Sequence, residues 1–200
     1  MHSKVGFGET TSSGFPGEAG GLLTHASQWR KIEQATLAFG YGMSVTALQL
    51  ARAYSVIAAD GKLQSVSFVR QDDFKNSQQV MKPSIARQLR SMLKQVVAEG
   101  GTGTRASIAG YHVAGKTGTV KKVVNGGYSD DRYTSVFAGM VPASQPRLVM
   151  VVTVDEPNNG VYYGGEVAAP VFAEVMSNAL HLMDIKPDNL SRKSVNMALL

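Results

Sequence analysis

Lys116 has the surroundings that most invite chemistry. It stands in "AGKTGTV", residues 114–120, and Thr117, Gly118 and Thr119 follow it directly. Val113 and Val120 flank the run, and Val123 and Val124 come soon after. The stretch reads as a strand whose middle has been stripped of bulk. Small residues inside a strand mark places where another group comes close to the backbone. The question is what approaches Lys116.

Other patterns are weaker. "GTGTRA", 101–106, matches a G-x-G-x-x-A dinucleotide fingerprint. That fingerprint needs a strand before it and a helix after it. Here a helix precedes and a strand follows, so the run is read as a flexible connection. His2, His25, His112 and His181 have no ligand spacing among themselves or with acidic residues, so no metal site is expected. Asp72–Asp73, Asp130–Asp131 and Asp155–Glu156 sit in turn-like contexts. They are read as solvated loop charge in preference to carboxylates paired for proton transfer.

The elements that must position Lys116 follow from periodicity. Residues 1–27 are rich in Gly, Ser and Thr and read as loop, either resting on a surface from elsewhere or mobile. "SQWRKIEQATLAFGYG" has short helical character broken by Gly40 and Gly42. "SVTALQLARAYSVIAADG" predicts a helix with Thr46 as N-cap and Gly61 as stop. "SVSFVR", 65–70, alternates like a strand. "KPSIARQLRSMLKQVVAEGG" predicts a helix with Pro83 in its first turn and Ile85, Leu89, Met92, Leu93 and Val96 as its apolar face. Strands are expected over about 111–120, 132–140 and 147–155, joined by "NGGYSDD" and "PASQP" into an antiparallel meander. "EVAAPVFAEVMSNALHLMDI" predicts a last helix that begins near Pro170, since proline is tolerated only in a first turn. From Lys186 onward the chain is polar.

The hydrophobic fraction of 44% supports a real core. No apolar run approaches membrane-spanning length; the longest, "LVMVVTV" at 148–154, suits a buried strand. "MHSKVGFGET" has no signal-peptide core, so a targeting segment is expected to be absent or removed. Net charge is +5, but no basic run exceeds "KK" at 121–122, and no basic stripe with interleaved aromatics supports nucleic-acid binding. The absence of cysteine excludes disulfides, thiolate metal sites and cysteine nucleophiles.

Lys-Thr-Gly on a strand is one of three marks of serine penicillin-recognising enzymes. "FGYGMSVTALQLARAYSVIAADG", "AGKTGT", "FAGMVPASQPRLVMVV" and "VYYGGEVAAPVFAEVM" occur in that order. Together they resemble the C-terminal part of the transpeptidase domain of class B penicillin-binding proteins, the septal cell-division member of Gram-negative bacteria above all. The resemblance runs from about residue 5 to 188. It implies an α+β fold: an antiparallel sheet with helices on both faces, incomplete in this chain. Residues 1–188 would be the C-terminal part of the domain and 189–200 a polar tail.

The resemblance also implies a deficit. In the family the catalytic serine of S-x-x-K and then the S-x-N precede the K-T-G, so both are expected upstream of Met1. "SMLK", Ser91–Lys94, has the S-x-x-K spelling but lies about 25 residues before Lys116 in an ordinary amphipathic helix. "SVN", Ser194–Asn196, falls after the K-T-G. The chain alone is therefore expected to be inactive.

The implied reaction is acyl transfer. A serine attacks the carbonyl between two D-alanines of a peptidoglycan stem peptide, D-alanine leaves, and an amine from a second stem resolves the ester; β-lactams mimic the D-Ala-D-Ala end. By resemblance Lys116 supplies charge for the substrate carboxylate, and the Thr117 and Thr119 hydroxyls bind it. Gly118 lets the ligand lie along the strand, and the Thr119 N–H forms half of an oxyanion hole. Tyr41, Tyr162 and Tyr163 line the cleft. Lys121 and Lys122 are read as a solvated strand end. The expected partners are stem peptide, β-lactams and, through the parent protein, the division machinery at the periplasmic face of the inner membrane, with a possible oligomer through an exposed core face. No cofactor is implied. Alternative readings are a non-catalytic peptide- or partner-binding module, and a D,D-carboxypeptidase or β-lactamase relative.

Overall fold

The computed structural model describes residues 1–70, 77–124, 126–158 and 160–189. Its centre is a three-stranded antiparallel sheet of β3 (Ala114–Val124), β4 (Gly127–Val141) and β5 (Leu148–Asp155), in the order β3-β4-β5. Strand alternation sorts β4 between two helical layers. Phe137 and Val141 face α4 (Gly164–Leu182), where Phe137 meets Phe172 edge-on at 4.9 Å. Met140 faces the other way, towards Tyr54 and Ile57 of α2 (Ala47–Ala58) and Leu93 of α3 (Pro83–Val97). Helices therefore cover both faces, as the resemblance implied.

The meander matches expectation, but its first hairpin is tighter. Val124 pairs with Gly127, so β3 and β4 extend through most of the expected "NGGYSDD" loop. Asp130 and Asp131 thus lie on a strand and not in a turn. Gly126, at φ +83°, supplies the left-handed residue that so short a connection requires.

α2 is capped as read: Thr46 Oγ1 accepts the Gln49 N–H at 3.1 Å, and Gln49 Oε1 accepts the Thr46 N–H at 2.8 Å. Pro83 opens α3. The buried face of α3 is rotated from the predicted one. Ala86 and Val97 are buried, with Leu89 and Leu93 partly so, whereas Ile85 and Met92 are exposed.

Three further expectations fail. α4 begins six residues before Pro170, which lies inside the helix. The helix keeps its course because only one i→i−4 bond is lost, while Ala168, Ala169, Phe172 and Met176 bury its inner face. "SVSFVR" forms no strand; the short pairing lies beside it, between β1 (Lys62–Leu63) and β2 (Gln78–Gln79). Residues 1–27 rest on this chain itself. Val5 and Phe7 are buried with Ala53, Val56, Met81 and Ala86, and Leu22 bridges Ser44. The buried Gln49 holds the segment down, donating from Nε2 to Glu9 O at 2.7 Å and Gly20 O at 2.8 Å. A short helix α1 (Lys31–Leu37) follows, and Gly40 and Gly42 break the chain after it at positive φ.

The chain beyond α4 turns back on the sheet. Asp188 accepts the N–H groups of His112 at 2.7 Å and Ser144 at 3.1 Å, and the Asn189 N–H reaches Gly110 O at 3.0 Å. The polar tail expected from residue 189 lies outside the described residues except for Asn189.

Candidate functional site

Among the described residues β3 is an edge strand, paired on one side by β4. Lys116, Thr117, Gly118 and Thr119 pair with Ala138, Phe137, Val136 and Ser135. Alternation places Thr117 and Thr119 on the α4 face and Lys116 on the opposite face. Lys116 nevertheless curls back to its neighbour. Its Nζ donates to Thr117 O at 3.0 Å and to Thr117 Oγ1 at 3.2 Å. Lys116 is exposed, and Thr117, Gly118 and Thr119 are half-buried. The amine and two hydroxyls thus sit along one open edge, where an anion can meet them.

Two reasons for the small residues emerge. Gly115 makes room for protein: a Cβ there would lie 2.5 Å from Phe137 Cζ. Gly118 lies beneath Gly164, whose own Cβ would fall 2.3 Å from Gly118 O and 2.4 Å from Val136 O. The start of α4 is seated directly on the strand backbone. Part of the stripped bulk is therefore packing within the fold.

The seat carries a hydrogen bond. The N–H groups of a helix's first turn have no intrahelical acceptor. Tyr163, the N-cap of α4, offers none from its side chain. Thr119 Oγ1 takes that place from a different element, accepting the Gly164 N–H at 3.0 Å. Thr102 Oγ1 likewise stands 3.0 Å from Thr117 Oγ1. Sequence reasoning missed Thr102, Gly164 and Gly165. The adjacent glycines in "YYGG" were the available signal for a helix start pressed against a strand.

Tyr162 and Tyr163 adjoin this end of α4. Tyr162 stacks on Tyr133 at 4.1 Å and 12°, and its ring centre lies 4.6 Å from that of Tyr163. Ser135, the pairing partner of Thr119, donates its hydroxyl to Tyr162 O. The Tyr162 hydroxyl beside it pushes the Tyr163 phenol pKa up. Tyr41 lies elsewhere, edge-on to Tyr128 at 5.9 Å. Tyr128 pairs with Val123, roughly 20 Å along the strand from Lys116. The structure brings Tyr162 and Tyr163 to the Lys-Thr-Gly strand and leaves Tyr41 at the hairpin's far end.

Lys121 and Lys122 are tied to protein carboxylates. Lys121 reaches Asp130 at 3.1 Å, and Lys122 reaches Asp155 at 2.8 Å and Glu156 at 2.6 Å. Hydrogen bonds from Arg132 and then Lys122 hold the Glu156 carboxyl down to about 2. Ser91 is exposed and makes no side-chain hydrogen bond with Lys94. Ser194–Asn196 lies outside the described residues. Among the described residues, no serine hydrogen-bonds to the side chain of Lys116, Thr117 or Thr119, and no cluster of His, Asp or Glu could hold a metal ion. None of the described helices is long and apolar enough to cross a membrane.

The sequence pattern of the family described as "Penicillin binding protein transpeptidase domain" matches residues 1–177. A probable peptidoglycan D,D-transpeptidase PenA of Neisseria flavescens is 46% identical over 187 residues, which cover 94% of this chain and 47% of that protein. The peptidoglycan D,D-transpeptidase FtsI of Escherichia coli is 42% identical over 195 residues, 98% of this chain and 33% of that protein. The apo transpeptidase domain of Burkholderia pseudomallei penicillin-binding protein 3 superposes with a TM-score of 0.88 at 42% identity, covering 94% of this chain and 57% of that one. The chain thus spans less than half the length of these curated relatives.

Proposed function

The chain belongs to the penicillin-binding protein transpeptidase family, and from that premise we propose that it forms the Lys-Thr-Gly wall of a peptidoglycan D,D-transpeptidase site. The observation that carries the reading is the open edge of β3, where the Lys116 amine and the Thr117 and Thr119 hydroxyls stand together. The ligand is the D-Ala-D-Ala end of a stem peptide. It lies along β3 as an added strand, and its carboxylate meets Lys116, Thr117 and Thr119. The Thr119 N–H is one donor to the oxyanion formed when a serine attacks the carbonyl between the two D-alanines. The serine ester forms as D-alanine leaves, and an amine from a second stem displaces the serine to make the cross-link. Tyr162 and Tyr163 flank the bound peptide.

This chain does not supply the serine at the motif: Ser91 is on the exposed side of α3. By itself it binds but does not acylate. In the parent protein the wall works outside the cytoplasm in septal wall synthesis, held at the inner membrane and in contact with division proteins. The outer edge of β5 and the exposed Val171 and Val175 of α4 are the surface through which the chain self-associates.

The test joins two measurements on the chain. Titration with an acylated peptide ending in D-Ala-D-Ala, followed by NMR, is expected to shift the amides of residues 116–119. Intact-mass analysis after incubation with a reactive penicillin is expected to show no adduct. Failure of 116–119 to respond overturns the binding role, and an adduct mapped to Ser91 overturns the assignment of inactivity.

A further inference from the structure

The "GTGTRA" run is no flexible connection. The Gly103 N–H donates to Val96 O at 2.8 Å, at the C-terminal end of α3. A Cβ on Gly101 would lie 2.2 Å from Val96 O, and one on Gly103 would lie 3.0 Å from Phe137 Cε2. On the other side, a Cβ on Gly165 would lie 2.1 Å from Thr102 O. The loop is wedged between α3, the core phenylalanine and the start of α4. The held backbone sets the exposed Thr102 side chain at the strand, with its Oγ1 3.0 Å from Thr117 Oγ1.

The hydrogen-bond inventory at Thr117 then matters. A hydroxyl has one proton to give and two lone pairs to receive with. Lys116 Nζ can only donate, and it takes one lone pair of Thr117 Oγ1. The contact with Thr102 has two senses. If Thr117 donates to Thr102, it has no proton left for an incoming anion. If Thr102 donates to Thr117, both lone pairs are filled and the Thr117 proton is free. Thr102 has no other side-chain partner, so its proton is uncommitted. An anion on the strand selects the second sense. Thr119 is set in the same manner, because its hydroxyl already accepts the Gly164 N–H.

We infer that Thr102 is a positioning residue. It fixes the rotamer of Thr117 and leaves that hydroxyl as a proton donor to the carboxylate of a bound peptide. This inference rests on the proposed D-Ala-D-Ala recognition for its ligand, but the orientation of Thr117 is a property of the chain alone.

The experiment separates the two. Three-bond couplings from Thr117 Cγ2 to the backbone N and C′ report χ1 in the wild-type chain, Thr102→Ser and Thr102→Val. Wild type and the serine variant are expected to show one rotamer, and the valine variant averaged couplings. The same proteins are titrated with an acylated D-Ala-D-Ala peptide and with its C-terminal amide. Thr102→Val is expected to weaken the free acid roughly tenfold, the scale of one hydrogen bond to a charged group. It should leave the amide nearly unchanged, and serine should restore the difference. Unaltered couplings in Thr102→Val, or equal losses for acid and amide, would overturn the inference. Should the wild-type chain fail to bind the acid, the recognition reading falls, and the couplings still decide whether Thr102 sets Thr117. Thr102→Ala replaces the valine variant if valine disturbs the loop.

Discussion

Thr119 of the edge strand caps α4 by accepting the Gly164 N–H at 3.0 Å, a role the helix's own N-cap, Tyr163, leaves vacant. The link makes the helix start and the Lys-Thr-Gly strand one mechanical unit. A change at either should be felt at the other.

Gly164→Ala tests that unit. The added methyl meets two backbone oxygens at 2.3 and 2.4 Å, neither of which can swing aside. A cost of about 1–3 kcal/mol is expected, the range of overpacked cores. Urea denaturation of the two proteins measures it. Amide shifts at Gly118 and Thr119 should move in the variant, and a spectrum unchanged there would sink the prediction.

Gln49→Ala removes the clamp on residues 9–20. It leaves the exposed Glu9 and half-buried Gly20 carbonyls without their side-chain donor, at about 0.5–1.5 kcal/mol for each hydrogen bond lost. Limited proteolysis should then cut between residues 9 and 20 well before the rest of the chain. Equal cleavage rates in both proteins would contradict the clamp.

The ion cluster at the end of the sheet predicts acid sensitivity. The Glu156 carboxyl is held at about 2, below its ordinary 4.5, by Arg132 and Lys122, and Asp155 is lowered by Lys122 and Thr134. The unfolded chain therefore takes up protons first as acid is added. The contribution is complete above pH 4.5 and is lost as pH falls towards 2. Urea midpoints should decline across that window, and Glu156→Gln should flatten the decline. The groups are exposed, so added salt should shrink the effect. An identical pH profile for wild type and Glu156→Gln would rule the cluster out.

Tyr163 should ionise above the ordinary tyrosine range, because the Tyr162 hydroxyl lies beside it. Tyr162→Phe should bring its titration back down. Phenolate absorbance followed with rising pH reads the change, provided the variant keeps its far-ultraviolet spectrum.

What the sequence carried openly was local. The Thr46 cap, Pro83 at a helix start and the apolar run of 148–154 are each complete within a few residues, and each stands where the sequence placed it. The errors came where distant chain decides. Pro170 argues for a helix start only until the buried Ala168, Ala169 and Phe172 are known to carry the helix through it. "SVSFVR" alternates well but has no partner strand among the described residues. The Gly/Ser-rich lead looks loose because its anchor, Gln49, lies in another element. The same holds for the site. The "KTGT" spelling marked the strand and the paired glycines of "YYGG" hinted at a close helix start, while Thr102 could be recognised only once three elements met.

The hairpin joining β3 to β4 has a consequence for how the molecule assembles. Val124 pairs with Gly127, and Val141 with Leu148, so the sheet's pairings close short loops. Contacts of low sequence separation form early, because little chain entropy is lost in closing them. The cluster joining Val5 and Phe7 to Met81 and Ala86 must instead bring together residues some seventy to eighty positions apart. The Lys-Thr-Gly wall is therefore expected to exist as a folding nucleus before the N-terminal segment docks. Pulse-labelled hydrogen exchange would show amides of 134–141 protected first, and protection arising first in residues 1–60 would reverse that order.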